Sequence, residues 1–168
     1  MRQVNPSEAM QQKFPEWIVM VVSRDANGQA NVMPAGWGMI CSGSPLYVAT
    51  AIGYTRYTYK CIHETGEFVF SWAGEGQEEL VTQTGTSSGS GVNKFEEFNI
   101  PWSAPAVINV PLLDGAAASL ECKLVHEYAS GDHAIFVGEV VAAHVPDEPI
   151  RNLVNFRGHY AVAQHAGK

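Results

Sequence analysis

The chain is short of charge, and within that of cations. Only 16% of its 168 residues are Asp, Glu, Lys or Arg, and ten basic residues face seventeen acidic ones, for a formal net charge of −7. A broad surface for a nucleic-acid polymer or an anionic membrane needs the opposite surplus, so neither partner is expected, and any bound phosphate requires a local cationic pocket. Cysteine is scarce too. Cys41, Cys61 and Cys122 are odd in number and widely spaced, which fits neither a disulfide framework nor a C-x-x-C motif, so all three read as buried thiols. No apolar run reaches the length of a transmembrane helix, and the first residues lack the basic and apolar blocks of a signal peptide; a cytoplasmic location is expected. The six histidines form no H-E-x-x-H and no close pair, so no metal site is expected.

What remains is a 46% hydrophobic chain of a length that suits one domain, 1–168, with loose ends at 1–13 and 164–168. Residues 17–23 are apolar and β-branched and run into the turn Asp25-Ala-Asn-Gly28, which predicts a strand entering a hairpin. Its partner would be 31–40, although Pro34, Gly36 and Gly38 point to a bulge or a close approach of a ligand. Further strands are predicted over 45–52, 67–72, 117–128 and 133–145, the last two joined around Gly131-Asp132. Helices are predicted over 55–65, ending at Gly66, and over 75–84 and 92–98. Few helices inserted among many strands argue for a mainly β, closed antiparallel barrel rather than a doubly wound sheet.

Two segments could carry chemistry. At Ala51-Ile-Gly-Tyr-Thr-Arg-Tyr-Thr58 a strand ends and a helix begins, and helix N-termini offer free N–H groups to anions. Arg56 stands there as a cation in a first turn, against the helix dipole, where a bound anion would explain it; the ordinary alternative is a Thr55 N-cap beside a solvated arginine. The glycine- and serine-rich run Gly85-Thr-Ser-Ser-Gly-Ser-Gly91 leads into a second such start with Lys94 in its first turn, the alternative being a flexible loop capped by Ser90 or Asn93. Gly85-Thr-Ser-Ser-Gly89 also matches G-x-S-x-G with Ser87 as nucleophile, but a polar, helical segment precedes it where that elbow needs an apolar strand. Among the aromatics, Trp17, Tyr47, Tyr54 and Trp72 read as core, and Trp37, between two glycines, is best placed to meet a flat ring. His133 could reach a cofactor edge as a catalytic acid.

Taken in order, several pieces resemble the flavin reductase-like, FMN-binding split-barrel family in its flavoredoxin-like branch. They are Asn31-Val-Met-Pro-Ala-Gly-Trp-Gly-Met39, Tyr54-Thr-Arg-Tyr-Thr58, Glu64-Thr-Gly-Glu-Phe-Val69, Gly85-Thr-Ser-Ser-Gly89 with Val92-Asn-Lys-Phe95, Leu120-Glu-Cys122, and Gly131-Asp-His133 with Phe136-Val-Gly-Glu-Val140. Each is weak alone, whereas the ordered set, covering a core of about 15–163, is specific. The resemblance implies an antiparallel split β-barrel of Greek-key type, a homodimer, and FMN near the subunit interface. It implies that Arg56, Tyr57 and Thr58 hold the phosphate, that Ser88 and Lys94 close over it, that Asn31 and Trp37 lie along the isoalloxazine, and that main-chain groups near Ala51 meet the ring edge. The chain departs from the family at Ser90, where a basic residue is frequent, and at Asn93, where aspartate is usual. The implied activity is an oxidoreductase passing electrons from NAD(P)H or a redox partner protein through flavin to an acceptor; a non-catalytic FMN-binding or electron-carrier protein is the alternative.

Overall fold

The computed structural model describes residues 1–164; the tail expected to be loose at 165–168 lies outside them. Among the described residues the chain is mainly strand. A seven-stranded antiparallel sheet runs in the order β3 (Ala30–Ala35), β2 (Val19–Arg24), β6 (Glu67–Trp72), β9 (Ala118–Ser130), β10 (His133–His144), β5 (Leu46–Gly53) and β4 (Gly38–Gly43). Strands β3 and β4 are consecutive in sequence yet occupy opposite edges. Laid flat, seven strands would separate those edges by about 29 Å, six gaps of about 4.8 Å. Gly36 and Trp37, the two residues between them, bridge at most about 11 Å. The sheet must therefore curl until its edges meet. Gly38 shows the closure, since a Cβ there would meet Phe70 at 2.9 Å and Val19 at 3.0 Å across the barrel. This is why the single strand expected over 31–40 is two strands: the Gly36-Trp37 link turns a corner that a continuous strand could not.

The strand predicted over 17–23 is also split, into β1 (Glu16–Trp17) and β2, because β1 leaves the barrel to pair with β11 (Leu153–Phe156). Strand β11 in turn pairs with β12 (His159–Val162), and this small sheet had no clear signal in the sequence. Strand β2 is buried on both faces, which explains its unbroken apolar run. Val19 and Val21 join Ile52, Phe68, Phe70 and Phe136 inside the barrel, while Met20 and Val22 join Val69, Val81, Ile100 and Leu113 outside it.

The outer layer is built by helices and a long loop. Helix α2 (Tyr57–Thr65) buries Cys61 and Ile62 and ends on Gly66 in the left-handed region at φ +70, whose N–H reaches Ile62 O at 2.8 Å. It starts two residues later than expected, with Arg56 rather than Thr55 at the N-cap and no side-chain cap. Helix α3 (Glu78–Thr86) is shifted toward the C-terminus relative to 75–84, with Glu78 and Glu79 in its first turn, where the dipole favours them. Helix α4 is the single turn Lys94–Glu97. The segment expected to be loose at 1–13 holds a short exposed helix, α1 (Pro6–Met10), capped by Asn5, whose side chain accepts from Glu8 N at 3.0 Å.

Glu121, fully buried in β9, pins the outer loop. Its carboxylate accepts from the N–H groups of Ala106, Val107 and Ile108 at 2.6, 2.8 and 2.9 Å and meets His144 Nε2 at 2.7 Å. Burial alone would raise its pKa, but these partners more than reverse that and hold it below the usual carboxylate range. Two cysteines are buried, with desolvation pushing Cys61 up to about 11 and Cys122 to about 12, whereas Cys41, expected inside, is exposed on the edge strand β4. Trp17, Trp37 and Tyr54 are also more exposed than core residues, at 38%, 51% and 39%. No helix among the described residues is long and apolar enough to cross a membrane, and no group of three or more His, Cys, Asp or Glu among them could hold a metal ion.

Candidate functional site

A cavity of about 420 Å³ lies where the β3–β4 corner, the β5–α2 turn and the loop between α3 and α4 converge. Every site residue singled out in the sequence lines it: Arg56, Tyr57, Thr58, Ser88 and Lys94 from the two presumptive anion segments, Trp37, Ala51 and His133 from the barrel seam, and Asn31 from β3. The curl of the sheet brings them together, since β3 and β5 approach only because the edges meet.

Lys94 is the most constrained of these groups. Its side chain is 3% exposed, and Nζ donates to Thr84 O at 2.7 Å and Val32 O at 2.8 Å. Burial pulls the ammonium down to about 8. Among the described residues neither Lys94 nor Arg56 has a carboxylate within ion-pair distance. An ammonium carries three donors, so the third N–H of Lys94, beside the cavity, is left for an anion.

Asn31 is tied to this same end. Its Nδ2 donates to Thr58 Oγ1 at 2.9 Å, its Oδ1 is buried with no partner, and the backbone of Gly89 lies against it so closely that a Cβ on Gly89 would meet Oδ1 at 2.2 Å. The side chain expected along a ring is thus engaged with Thr58 and Gly89. Tyr57 differs from expectation as well. Its hydroxyl is engaged in donating to Asp25 Oδ2 at 2.9 Å, so what it offers an anion is its backbone N–H in the first turn of α2. Desolvation and the Asp25 bond push its phenol up to about 12. Ser88 Oγ lies 2.9 Å from Ser90 Oγ, so the serine standing in for a basic residue braces the loop. Asn93 is the N-cap of α4 without a side-chain cap bond, and its Oδ1 is buried and unpartnered.

The other end of the cavity is aromatic. Trp37 and His133 pack at 4.8 Å between ring centroids, tilted by 42°. His133 Nδ1 meets Asp132 Oδ1 at 2.6 Å, leaving Nε2 beside Gly53, where a Cβ would lie 3.6 Å from it. The N–H of Ala51 donates to Trp37 O at 2.9 Å as the next rung beyond the β4–β5 ladder, so this amide is already paired, and only other groups of the stretch could meet a ring edge. Ser87 follows helix α3 as its C-cap rather than an apolar strand, which removes the nucleophile-elbow geometry. Glu16 and Thr84, which also line the cavity, carried no signal in the sequence.

The model of the flavin reductase like domain matches residues 10–164. The chain belongs to the flavin reductase-like family. An uncharacterized protein of Archaeoglobus fulgidus is 39% identical over 111 residues, covering 66% of this chain and 63% of that protein, and one of Aeropyrum pernix is 30% identical over 152 residues, covering 84% and 54%. This flavin reductase-like chain therefore matches less than two thirds of the length of each of those two relatives. An NADH-dependent FAD reductase of Streptomyces globisporus is 28% identical over 146 residues, 83% of this chain and 78% of that protein. Among solved structures, an FMN-binding protein from Thermus thermophilus is similar with TM-score 0.86 and 26% identity, covering 100% and 97% of the two chains. Flavoredoxin of Desulfovibrio vulgaris shares the fold at TM-score 0.85 and 20% identity, covering 100% and 96%. The flavin reductase-like split barrel is accordingly the fold of this chain, and two of the similar proteins, the FAD reductase and the FMN-binding protein, carry a flavin in their names.

Proposed function

We propose that the protein binds FMN in this cavity and serves as an oxidoreductase, taking electrons from NAD(P)H or from a redox partner protein and delivering them to an acceptor. The observation that carries the reading is Lys94: a buried ammonium with two carbonyl partners, no carboxylate, and one donor left at the cavity wall. Burying a cation without a counter-charge is costly, and a phosphate supplies the missing charge. Asn31 Oδ1, orphaned and buried, and Gly89, which leaves no room for a side chain, fit a ligand with hydrogen-bond donors lying close to backbone.

In this reading Arg56, Thr58, Ser88 and the first-turn N–H groups of α2 join Lys94 around the phosphate. Trp37 covers one side of the ring, and His133, held by Asp132, sets a proton or a hydrogen bond at the ring edge through Nε2. Bound flavin supplies the hydride and electron chemistry, while the chain binds, orients and shields it. The exposed apolar residues Trp37, Met39, Ile40 and Leu46 on and beside edge strand β4 support a second copy of this chain as partner there, in a homodimer.

The visible spectrum of the purified protein tests the reading. A flavin absorbance that is bleached anaerobically by NADH or NADPH is the expected result. A bound flavin that neither nicotinamide bleaches would favour the carrier alternative. A colourless protein that does not quench added FMN would remove the flavin reading altogether.

A further inference from the structure

We propose that a second cavity, adjoining the first, takes a small uncharged ring compound that carries a hydroxyl, a hydroquinone, and that Glu16 receives that hydroxyl. The cavity is built by the chain alone; the redox role of its occupant rests on the flavin reading above.

This cavity holds about 290 Å³, at the small end of the range of about 300–1,000 Å³ usual for ligand pockets, which suits a molecule of one or two rings. It lies among the small sheet of β1, β11 and β12, strand β3 and helix α3. Glu16, Pro34, Ala35, Gly36 and Gly85 line both cavities, so occupants of the two would share a wall.

The lining is largely apolar and aromatic, with Trp17, Ile18, Pro34, Ala35, Val81 and Tyr160. Trp17 is fixed by donation from Nε1 to Gly38 O at 3.0 Å and by an edge contact with Trp72 at 6.0 Å between ring centroids. Tyr160 Oη lies 3.2 Å from Thr82 Oγ1, which ties β12 to α3. Both rings nonetheless stay more than a third exposed, at 38% and 36%. Rigid aromatic surface left open in a concavity favours a flat partner.

The charge balance narrows the class. Glu16 is the one charged residue lining this cavity among the described residues, and its Oε2 pairs with Lys13 Nζ. The ion pair leaves the site without net charge, and no Lys or Arg lines it among the described residues, so a phosphate or a dinucleotide finds no counter-charge there. Glu16 Oε1 accepts from Asn155 Nδ2 at 3.2 Å. A carboxylate accepts about four hydrogen bonds and donates none, so Glu16 has capacity left for a ligand donor and repels a carbonyl. Gly36 makes the room for it: a Cβ there would meet Oε1 at 2.8 Å and Oε2 at 3.0 Å.

An uncharged ring with a hydroxyl donor, able to exchange electrons with a neighbouring flavin, is a hydroquinone, the reduced form of a quinone acceptor. In that exchange reduced flavin loses two electrons and two protons and is oxidised, and the two carbonyls of the quinone take them up and become hydroxyls. Glu16 favours the reduced form in the cavity, because only that form donates to it.

The test is an anaerobic calorimetric titration of the full chain, flavin-free and FMN-loaded, with hydroquinone and its dimethyl ether, for the unaltered protein, Glu16→Gln and Thr86→Trp. Hydroquinone should bind about tenfold or more tightly than the ether, the worth of one bond to a charged group. Glu16→Gln should shrink that ratio about threefold or more. Thr86 is exposed, lines only the second cavity and bonds through its hydroxyl to carbonyls of its own helix, so Thr86→Trp fills the cavity with the core intact. It should weaken hydroquinone about tenfold or more with FMN affinity unchanged, and slow reoxidation of the reduced, FMN-loaded protein by 1,4-benzoquinone by a similar factor. No hydroquinone binding, an ether bound as tightly, a ratio that Glu16→Gln leaves in place, binding or reoxidation that Thr86→Trp leaves in place, or displacement of hydroquinone by NAD⁺ from the FMN-loaded protein would each overturn the proposal. If FMN does not bind, the flavin reading fails, while hydroquinone binding to the flavin-free chain still decides whether the cavity is a site.

Discussion

Asn31 Nδ2 donates to Thr58 Oγ1 at 2.9 Å, joining β3 to the first turn of α2 and leaving Asn31 Oδ1 buried without a partner. The bond links an edge strand of the sheet to a helix 27 residues further along the chain. The orphaned oxygen is a cost that a ligand donor would relieve.

Asn31→Asp removes the amide that donates to Thr58 Oγ1, so that the Thr58 hydroxyl must turn to donate instead, and it adds a carboxylate next to the anion site. FMN affinity should fall about tenfold or more, and riboflavin, which lacks the phosphate, should lose much less. Parallel fluorescence titrations with the two flavins check this; an equal loss for both would show that the effect is not electrostatic.

Lys94→Met removes the buried ammonium while keeping its apolar stem. A charge-assisted bond is worth about 1.5–3 kcal/mol, so FMN affinity should fall between about 10- and 150-fold with riboflavin affinity nearly constant. The flavin-free variant should be no less stable than the parent, because an uncompensated buried charge has been taken away. Thermal melts without flavin read that second part.

The same lysine gives FMN binding a pH dependence. Its ammonium is pulled from 10.5 to about 8 by burial, so above about 8 the flavin-free protein holds it neutral and must take up a proton to pair with phosphate. FMN affinity should fall as pH rises through about 8, approaching tenfold per unit. Calorimetric titrations at about pH 9 in two buffers of different ionisation heat should show proton uptake that Lys94→Met abolishes. For stability the sign follows from the lowered folded value. The ammonium opposes folding in full below about 8, and the penalty lifts between about 8 and 10.5, so the flavin-free parent should gain on Lys94→Met across that window.

Glu121→Gln should destabilise the fold by about 3 kcal/mol, because an amide cannot replace a carboxylate that accepts from three backbone N–H groups and His144. Urea midpoints measure it. Since folding holds the Glu121 carboxyl below the ordinary glutamate value of 4.5, its stabilisation is present above that pH and lost as pH falls through the folded value. The variant should therefore lose less on acidification than the parent. Glu121 does not line the cavity, so FMN affinity of the folded variant should be unchanged.

Local chemistry made much of the fold legible. Residues 67–72 form β6 as predicted, since a short apolar and aromatic run bounded by Gly66 has few other options. The β9–β10 hairpin turns at Gly131, which takes φ +62, and Asp132, as its composition indicated. The β11–β12 hairpin was missed because Leu153 to Phe156 and His159 to Val162 are only four residues each and mixed in polarity. The corner at Gly36-Trp37 was visible as an anomaly in a strand, but nothing local says that its two halves belong to opposite edges of one sheet.

By itself the sequence determined where strands and helices could start and stop, and which residue types could face an anion: glycines before helix starts, and cations placed against the dipole in a chain otherwise acidic. Those are short-range effects of backbone sterics and charge, and they survive without any knowledge of neighbours. Only the tertiary structure decided which atoms of those residues are free. Packing of the elements against one another buried Lys94 against two carbonyls, turned the Tyr57 hydroxyl toward Asp25, paired the Ala51 amide with Trp37 and left Asn31 Oδ1 without a partner. Desolvation and hydrogen-bond competition depend on which elements pack around a side chain, and that is set by contacts 10 to 62 residues apart in the chain.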